Sequence, residues 1–254
     1  MILDSFRLDD RVAIVTGGNR GLGQAGAIAL AEAGADVALL DRTEPAETLA
    51  RVQALGRRAF WVPCDLSGAT AADLAAAVGS VVDGLGRLDI LVNNAGIIRR
   101  ADALDYPTSD WDEVLTVNLD AVFHLCQAAG RVMVAQGSGK IINIASMLSF
   151  QGGIRVPAYA AAKHAVVGLT KALANEWAGA GVNVNAIAPG YMATDNTQAL
   201  RSDPDRARSI VERIPAGRWG TPEELMGVVV FLASDAARYM HAAVVPVDGG
   251  WLAR

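Results

Sequence analysis

Short apolar runs rich in β-branched residues recur along the chain, separated by Ala-rich stretches whose apolar positions fall at helical spacing. Seven such runs, at 12–16, 36–40, 59–63, 88–92, 140–145, 182–188 and 243–247, predict strands. They are apolar without alternation, the pattern of parallel strands covered on both faces. Stretches at 21–33, 45–55, 71–85, 110–136, 157–179 and 222–234 predict helices. Gly34 and Gly181 read as helix stops that feed the next strand. The alternation predicts an α/β fold: one doubly wound parallel sheet of about seven strands with helices on both faces. No linker, repeat or low-complexity segment interrupts residues 1–254, so a single domain is expected. Two stretches break the rhythm, 147–156 after the fifth strand and 189–220 after the sixth. Both leave carboxyl ends of strands, where ligands bind in such sheets, and are the expected substrate loops. Residues 203–213 are expected to form a small helix that acts as a lid.

Composition narrows the function classes. With 254 residues, 52% hydrophobic and 19% charged, the chain has the apolar content of an ordinary globular core. A net charge of -5 and a pI near 5.2, without any run of Lys or Arg, weigh against nucleic acid or an anionic membrane as partner. Cys64 and Cys126 form no C-x-x-C and are expected to be buried free thiols in a reducing compartment. No apolar run approaches the roughly 20 residues that span a bilayer, and residues 1–7 do not read as a signal peptide, so a cytoplasmic protein is expected. His124, His164 and His241 have no ligand spacing, and no metal is expected.

Candidate chemistry begins at Thr16-Gly17-Gly18-Asn19-Arg20-Gly21-Leu22-Gly23, between the first strand and the first helix. Glycines there let the backbone turn sharply and approach a pyrophosphate, and the helix N-terminus offers N–H groups and a positive dipole end. Asp41, 18 residues after Gly23, is placed to accept hydrogen bonds from the adenosine ribose and to repel a 2′-phosphate, which favours NAD over NADP. Arg42 and Arg20 are cations, and either can pair with that phosphate. Asp65, followed by Leu66, reads equally as a partner of the adenine amino group and as a helix cap. Asn93-Asn94-Ala95-Gly96 reads as a turn tolerant of positive φ that can also pack against adenosine.

Tyr159 and Lys163 are i and i+4 neighbours on one helix face. A phenol has a pKa of about 10, and an ammonium within about 4–6 Å is expected to lower it toward neutrality. A positively charged nicotinamide adds to that shift. Ser146, 13 residues before Tyr159, ends the fifth strand, where its hydroxyl can hold a substrate oxygen.

These residues, with Asn118 and Pro189-Gly190, occur in an order and at spacings that resemble the short-chain dehydrogenase/reductase family over essentially the whole chain. The resemblance implies a Rossmann-type fold and direct hydride transfer between a secondary alcohol carbon and nicotinamide C4. It implies that Tyr159 is the acid/base, that Ser146 polarises the carbonyl or alcohol, and that Lys163 also binds the nicotinamide ribose. It further implies that Asn118 kinks its helix and holds a proton-relaying water, and that Thr194, shortly after Met192, meets the nicotinamide carboxamide. A homotetramer is implied as well, with helices 110–136 and 157–179 as surfaces of association.

Segments 95–100, 140–157, 187–194, 213–220 and 247–254 are further similar to members of that family that act on deoxy sugar acids of the gluconate type. Such a substrate carries a carboxylate, so Arg155 and Arg99 are candidate anchors and Gln151 a candidate partner for sugar hydroxyls. Two rivals stand beside this reading. A reductase of carrier-bound 3-oxoacyl thioesters is disfavoured by Asp41 and the acidic pI; a non-catalytic nucleotide-binding protein is disfavoured by the presence of both Tyr159 and Lys163.

Overall fold

The computed structural model describes residues 1–254. Its strands are β1 (Val12–Thr16), β2 (Asp36–Asp41), β3 (Ala59–Pro63), β4 (Ile90–Asn93), β5 (Gly139–Ile144), β6 (Val182–Pro189) and β7 (Val244–Val247). All pair in parallel, in the order β3-β2-β1-β4-β5-β6-β7. The helices are α1 (Gly21–Glu32), α2 (Ala46–Ala54), α3 (Ala71–Leu85), α4 (Thr108–Leu115), α5 (Ala121–Gln136), α6 (Pro157–Trp177), α7 (Gln198–Arg201), α8 (Pro204–Arg213) and α9 (Met226–Ala233). Strand order reverses between β1 and β4, and this switch point opens a crevice at their carboxyl ends.

The strands β1, β2, β4 and β6 are buried at every position. One face of the sheet packs Leu74, Val78, Leu125 and Val166 from α3, α5 and α6; the other packs Ala27, Leu30, Val229 and Leu232 from α1 and α9. The edge strands differ, because an edge has less cover: β3 and β7 are partly exposed, with Pro63 and Pro246 at the surface. Local chemistry sets the helix ends. Thr70 accepts from the Asp73 N–H while Asp73 accepts from the Thr70 N–H, and Gly86, at φ 91°, stops α3. Pro157 occupies the first turn of α6, where no N–H is needed.

Two expectations require correction. The stretch 110–136 is not one helix: α4 and α5 are joined by a single π turn, Thr116–Asp120, with Asn118 at its centre. Cys64 is half-buried, whereas Cys126 is fully enclosed and burial pushes its thiol up to about 12. The small helix expected at 203–213 forms as α8, with the Asp203 carboxylate capping the Asp205 and Arg206 N–H groups. No helix is long and apolar enough to cross a membrane.

Candidate active site

The glycine turn leaves β1 with Gly17 at φ 66° and Gly21 at φ 58°, conformations that favour glycine. A side chain at Gly23 would collide with the Gly17 carbonyl oxygen and Asn94 Nδ2, so this glycine serves close packing of α1 against the turn. Asn94 locks the neighbouring loop: its amide donates to the Thr16 and Gly17 carbonyls at 2.9 and 3.1 Å, and Thr16 Oγ1 accepts from the Asn94 and Ala95 N–H groups. Asp41 accepts from the Gly18 N–H at 2.9 Å. Burial pushes its carboxyl up to about 6, against the pull of the Gly18 and Asn19 N–H groups.

A cleft of about 650 Å³ runs from this turn to the carboxyl end of β5. Its nucleotide end is lined by Gly17, Asn19, Arg20, Gly21, Leu22 and Asp41, with Arg42 beside them. Ala95 and Gly96 form its middle, and Pro189, Gly190, Met192 and Thr194 its far wall. Ser146, Tyr159 and Lys163 close the other end. A volume of this size and shape, with a glycine turn at one end and Asp41 at hand, fits a dinucleotide.

The Lys163 ammonium is buried and donates to the Ile144 carbonyl oxygen at 2.6 Å, 5.7 Å from the centre of the Tyr159 ring. Burial pulls its pKa down to about 8. The expected lowering of Tyr159 by Lys163 is not what the protein alone produces. Burial pushes the phenol up, with Ser146 and Arg100 pulling the other way, and Lys163 is turned toward β5. Ser146 Oγ accepts from the Leu148 N–H at 3.1 Å, which fixes the hydroxyl at the cleft wall. Asn118 does not line the cleft. Its side chain accepts from the Ile97 N–H at 2.9 Å and donates to the Ile97 carbonyl at 2.8 Å, so it holds the loop after β4.

Several expected contacts are not brought to the cleft. Asp65 accepts from the Ser67 N–H and hydroxyl within a turn and caps no helix, since Thr70 caps α3, and Leu66 is packed in the core. Asn93 donates to Asn143 and Cys126 within a buried ladder that continues from Asn143 to Thr170. Arg99 forms a two-pronged pair with Glu113. Arg155 is exposed at φ 65°, outside the helix, and pairs with Asp102 at 3.1 Å. Gln151 accepts from Trp251 Nε1 at 3.0 Å. Arg99 and Arg155 each hold an ion pair in this structure, and neither lines the cleft.

Arg100 was missed. It donates to the Asn196 carbonyl at 3.1 Å, has no carboxylate partner, and its charge acts on both Tyr159 and Tyr191. The signal in the sequence was only its adjacency to Arg99. Arg20 reaches the same substrate loop from the glycine turn, pairing with Asp195 at 2.8 Å.

A family profile described as enoyl-(acyl carrier protein) reductase matches residues 17–252. The chain is 54% identical over 255 residues to the 2-dehydro-3-deoxy-D-gluconate 5-dehydrogenase of Escherichia coli (strain K12), covering 100% of both. It belongs to the short-chain dehydrogenase/reductase family. Within this family it is similar to a crystal structure from Agrobacterium tumefaciens, provisionally assigned as a 2-deoxy-D-gluconate 3-dehydrogenase, with bound NADP: 56% identity, TM-score 0.92, 98% of this chain and 99% of that one. A gluconate 5-dehydrogenase from Burkholderia cenocepacia, in complex with NADP and tartrate, gives 41% identity and a TM-score of 0.96 over 100% of both chains. The seven-stranded parallel sheet with helices on both sides is thus that of a single Rossmann-like short-chain dehydrogenase domain, and the cofactor class of the cleft is a nicotinamide dinucleotide.

Proposed function

We propose that this short-chain dehydrogenase oxidises a secondary alcohol of a deoxy sugar acid, of the 2-dehydro-3-deoxy-D-gluconate type, and reduces the corresponding ketone in reverse. The observation that carries the reading is the single cleft on which Ser146, Tyr159 and Lys163 face the glycine turn and Asp41. The substrate class rests on relatives aligned from end to end that bear that name, including the Bacillus subtilis enzyme at 51% identity. The family description names a different reaction, and the full-length relatives outweigh it.

A nicotinamide ring bound in the cleft supplies the hydride acceptor. Ser146 holds the alcohol oxygen, and Tyr159 takes the hydroxyl proton as the carbon gives up its hydrogen with the bonding pair. Lys163, positive below about pH 8, supports the phenolate electrostatically. Asn118 acts as a positioning residue through Ile97. Arg100 replaces Arg155 as the cation for the substrate carboxylate, because it lies within electrostatic reach of Tyr159 and has no carboxylate of its own.

The preference for NAD expected from Asp41 is a proposal, with NADP as the alternative. Asp41, ionised above about pH 6, favours the free ribose of NAD, while Arg20 and Arg42 offer counter-charge to a 2′-phosphate, and the two neighbours crystallised with NADP support the latter. A homotetramer is part of the proposal: Trp111 on α4 and Phe123 and Val134 on α5 present apolar surface outward. The test is formation of reduced nicotinamide across gluconate, 2-deoxygluconate, 2-dehydro-3-deoxygluconate and uncharged polyols. Turnover of the polyols without the acids would overturn the assignment.

A further inference from the structure

A second cavity, of about 240 Å³, opens at the amino ends of β1, β4, β5 and β6, the opposite edge of the sheet from the cleft. Arg11, Asp89, Lys140, Asn183, Arg238 and His241 are among its walls. Their charges do not cancel. Asp89 is fully engaged, accepting from the Val12 N–H, from Arg11 and from two nitrogens of Arg87. Lys140 is half-buried within β5, and its ammonium finds only a neutral partner, Asn183 Oδ1 at 2.8 Å. Desolvation pulls the Lys140 pKa down, and Asp235 opposes that from beyond ion-pair distance. A cation in this position lacks the counter-charge that burial demands.

The turn between α9 and β7 supplies the other half of the cavity. Arg238 stands on it with no ion pair and no side-chain hydrogen bond, although its carbonyl accepts from Asn183 Nδ2 at 3.1 Å. His241 Nε2 meets the same amide at 3.2 Å, while its Nδ1 is buried without a partner. Two cations without an ion pair and an unsatisfied imidazole nitrogen therefore border one polar space open to solvent, with Asp235 as the remaining carboxylate on its wall.

We propose that this cavity binds a small oxyanion between the Lys140 ammonium and the Arg238 guanidinium, and that the anion anchors the 234–242 turn to the sheet. Inorganic phosphate and short carboxylates share the required chemistry, compact negative oxygens that accept from both cations. The site is remote from the reacting atoms, so occupancy changes the stability of the chain and not its turnover.

Thermal unfolding of the protein saturated with nicotinamide cofactor tests the proposal, because the glycine turn is then filled and the variants below separate this cavity from the substrate end of the cleft. Phosphate and malonate are compared with chloride at equal ionic strength and pH. At an anion concentration ten times its Kd, the unfolding equilibrium constant is expected to fall about tenfold. Arg238→Gln and Lys140→Met are each expected to abolish most of that response while kcat stays within about twofold. Arg238 is exposed and unbonded, so its variant tests the site without threatening the fold. A response to phosphate alone identifies a phosphate site, a response to malonate alone a carboxylate site, and a response to both a general oxyanion site. The absence of any response beyond that to chloride, or an undiminished response in either variant, would overturn the proposal.

Discussion

The Lys163 ammonium stands 5.7 Å from the centre of the Tyr159 ring and spends its hydrogen bond on the Ile144 carbonyl of β5. In the proposed mechanism any support it lends a phenolate is electrostatic, and that support lasts only while the amine is charged. Because burial lowers Lys163 to about 8, the alcohol-oxidation rate of the wild type should stop rising with pH above that value. In Lys163→Arg the guanidinium keeps its charge, and the residual rate should climb through the same range. A pH profile of kcat/KM reads the difference; superimposable alkaline limbs would remove the field argument.

Removing the phenol hydroxyl isolates the proton-transfer step. Tyr159→Phe should lower kcat/KM by about 10²–10⁴-fold. Binding of the reduced cofactor, followed by its fluorescence, should stay within about twofold, since the ring that borders the cleft is retained.

Asp41 links cofactor choice to stability. Its folded pKa of about 6 exceeds the ordinary 3.8, so between those values the folded chain holds a proton that the unfolded chain has lost. Stability therefore falls as pH rises through that window, and the full cost, on the order of 1–3 kcal/mol, applies above it. Asp41→Asn retains an acceptor for the Gly18 N–H but carries no charge. It should unfold at a higher temperature than the wild type at pH 7–8, with the gap closing near pH 4. The same variant should raise the NADP-to-NAD ratio of kcat/KM at least fivefold; an unchanged ratio would remove Asp41 from cofactor selection.

Arg100→Ala should raise KM for an acidic sugar about tenfold or more, and for its uncharged analogue far less. Arg155→Ala, which breaks only an exposed pair with Asp102, should leave the two constants in their wild-type ratio.

Asn118→Ala should act through structure. It leaves the Ile97 N–H and carbonyl without their partner, a loss of about 1–3 kcal/mol measurable by denaturant unfolding.

The architecture was legible because the middle strands are buried on both faces and leave unbroken apolar runs, from Val12–Thr16 to Val182–Pro189. The glycine turn and the Tyr159–Lys163 spacing were legible because each is local: one turn, one helix face. What escaped depends on contacts far apart in the chain. Lys163 is held by a bond to the Ile144 carbonyl of β5, 19 residues earlier, and the π turn carries a bond from Asn118 to Ile97, 21 residues earlier. Arg155 looked well placed, four residues before Tyr159, but it precedes the helix in a left-handed conformation that turns it outward. Choosing Arg100 over Arg99 needed the partners of both, Asn196 and Glu113, which no periodicity reports.

The pair between Arg20 and Asp195 has one end on the nucleotide turn and the other on the segment leading into α7 and α8, and both side chains are mostly exposed, at 77% and 64%. Dissolved ions shrink the reach of such charges from about 10 Å at 0.1 M to about 3 Å at 1 M. A strap of this kind contributes at most about 1 kcal/mol, a factor of about five between two populations. Salt therefore loosens the hold between the nucleotide turn and the segment after β6, and it does so without altering a single reacting atom.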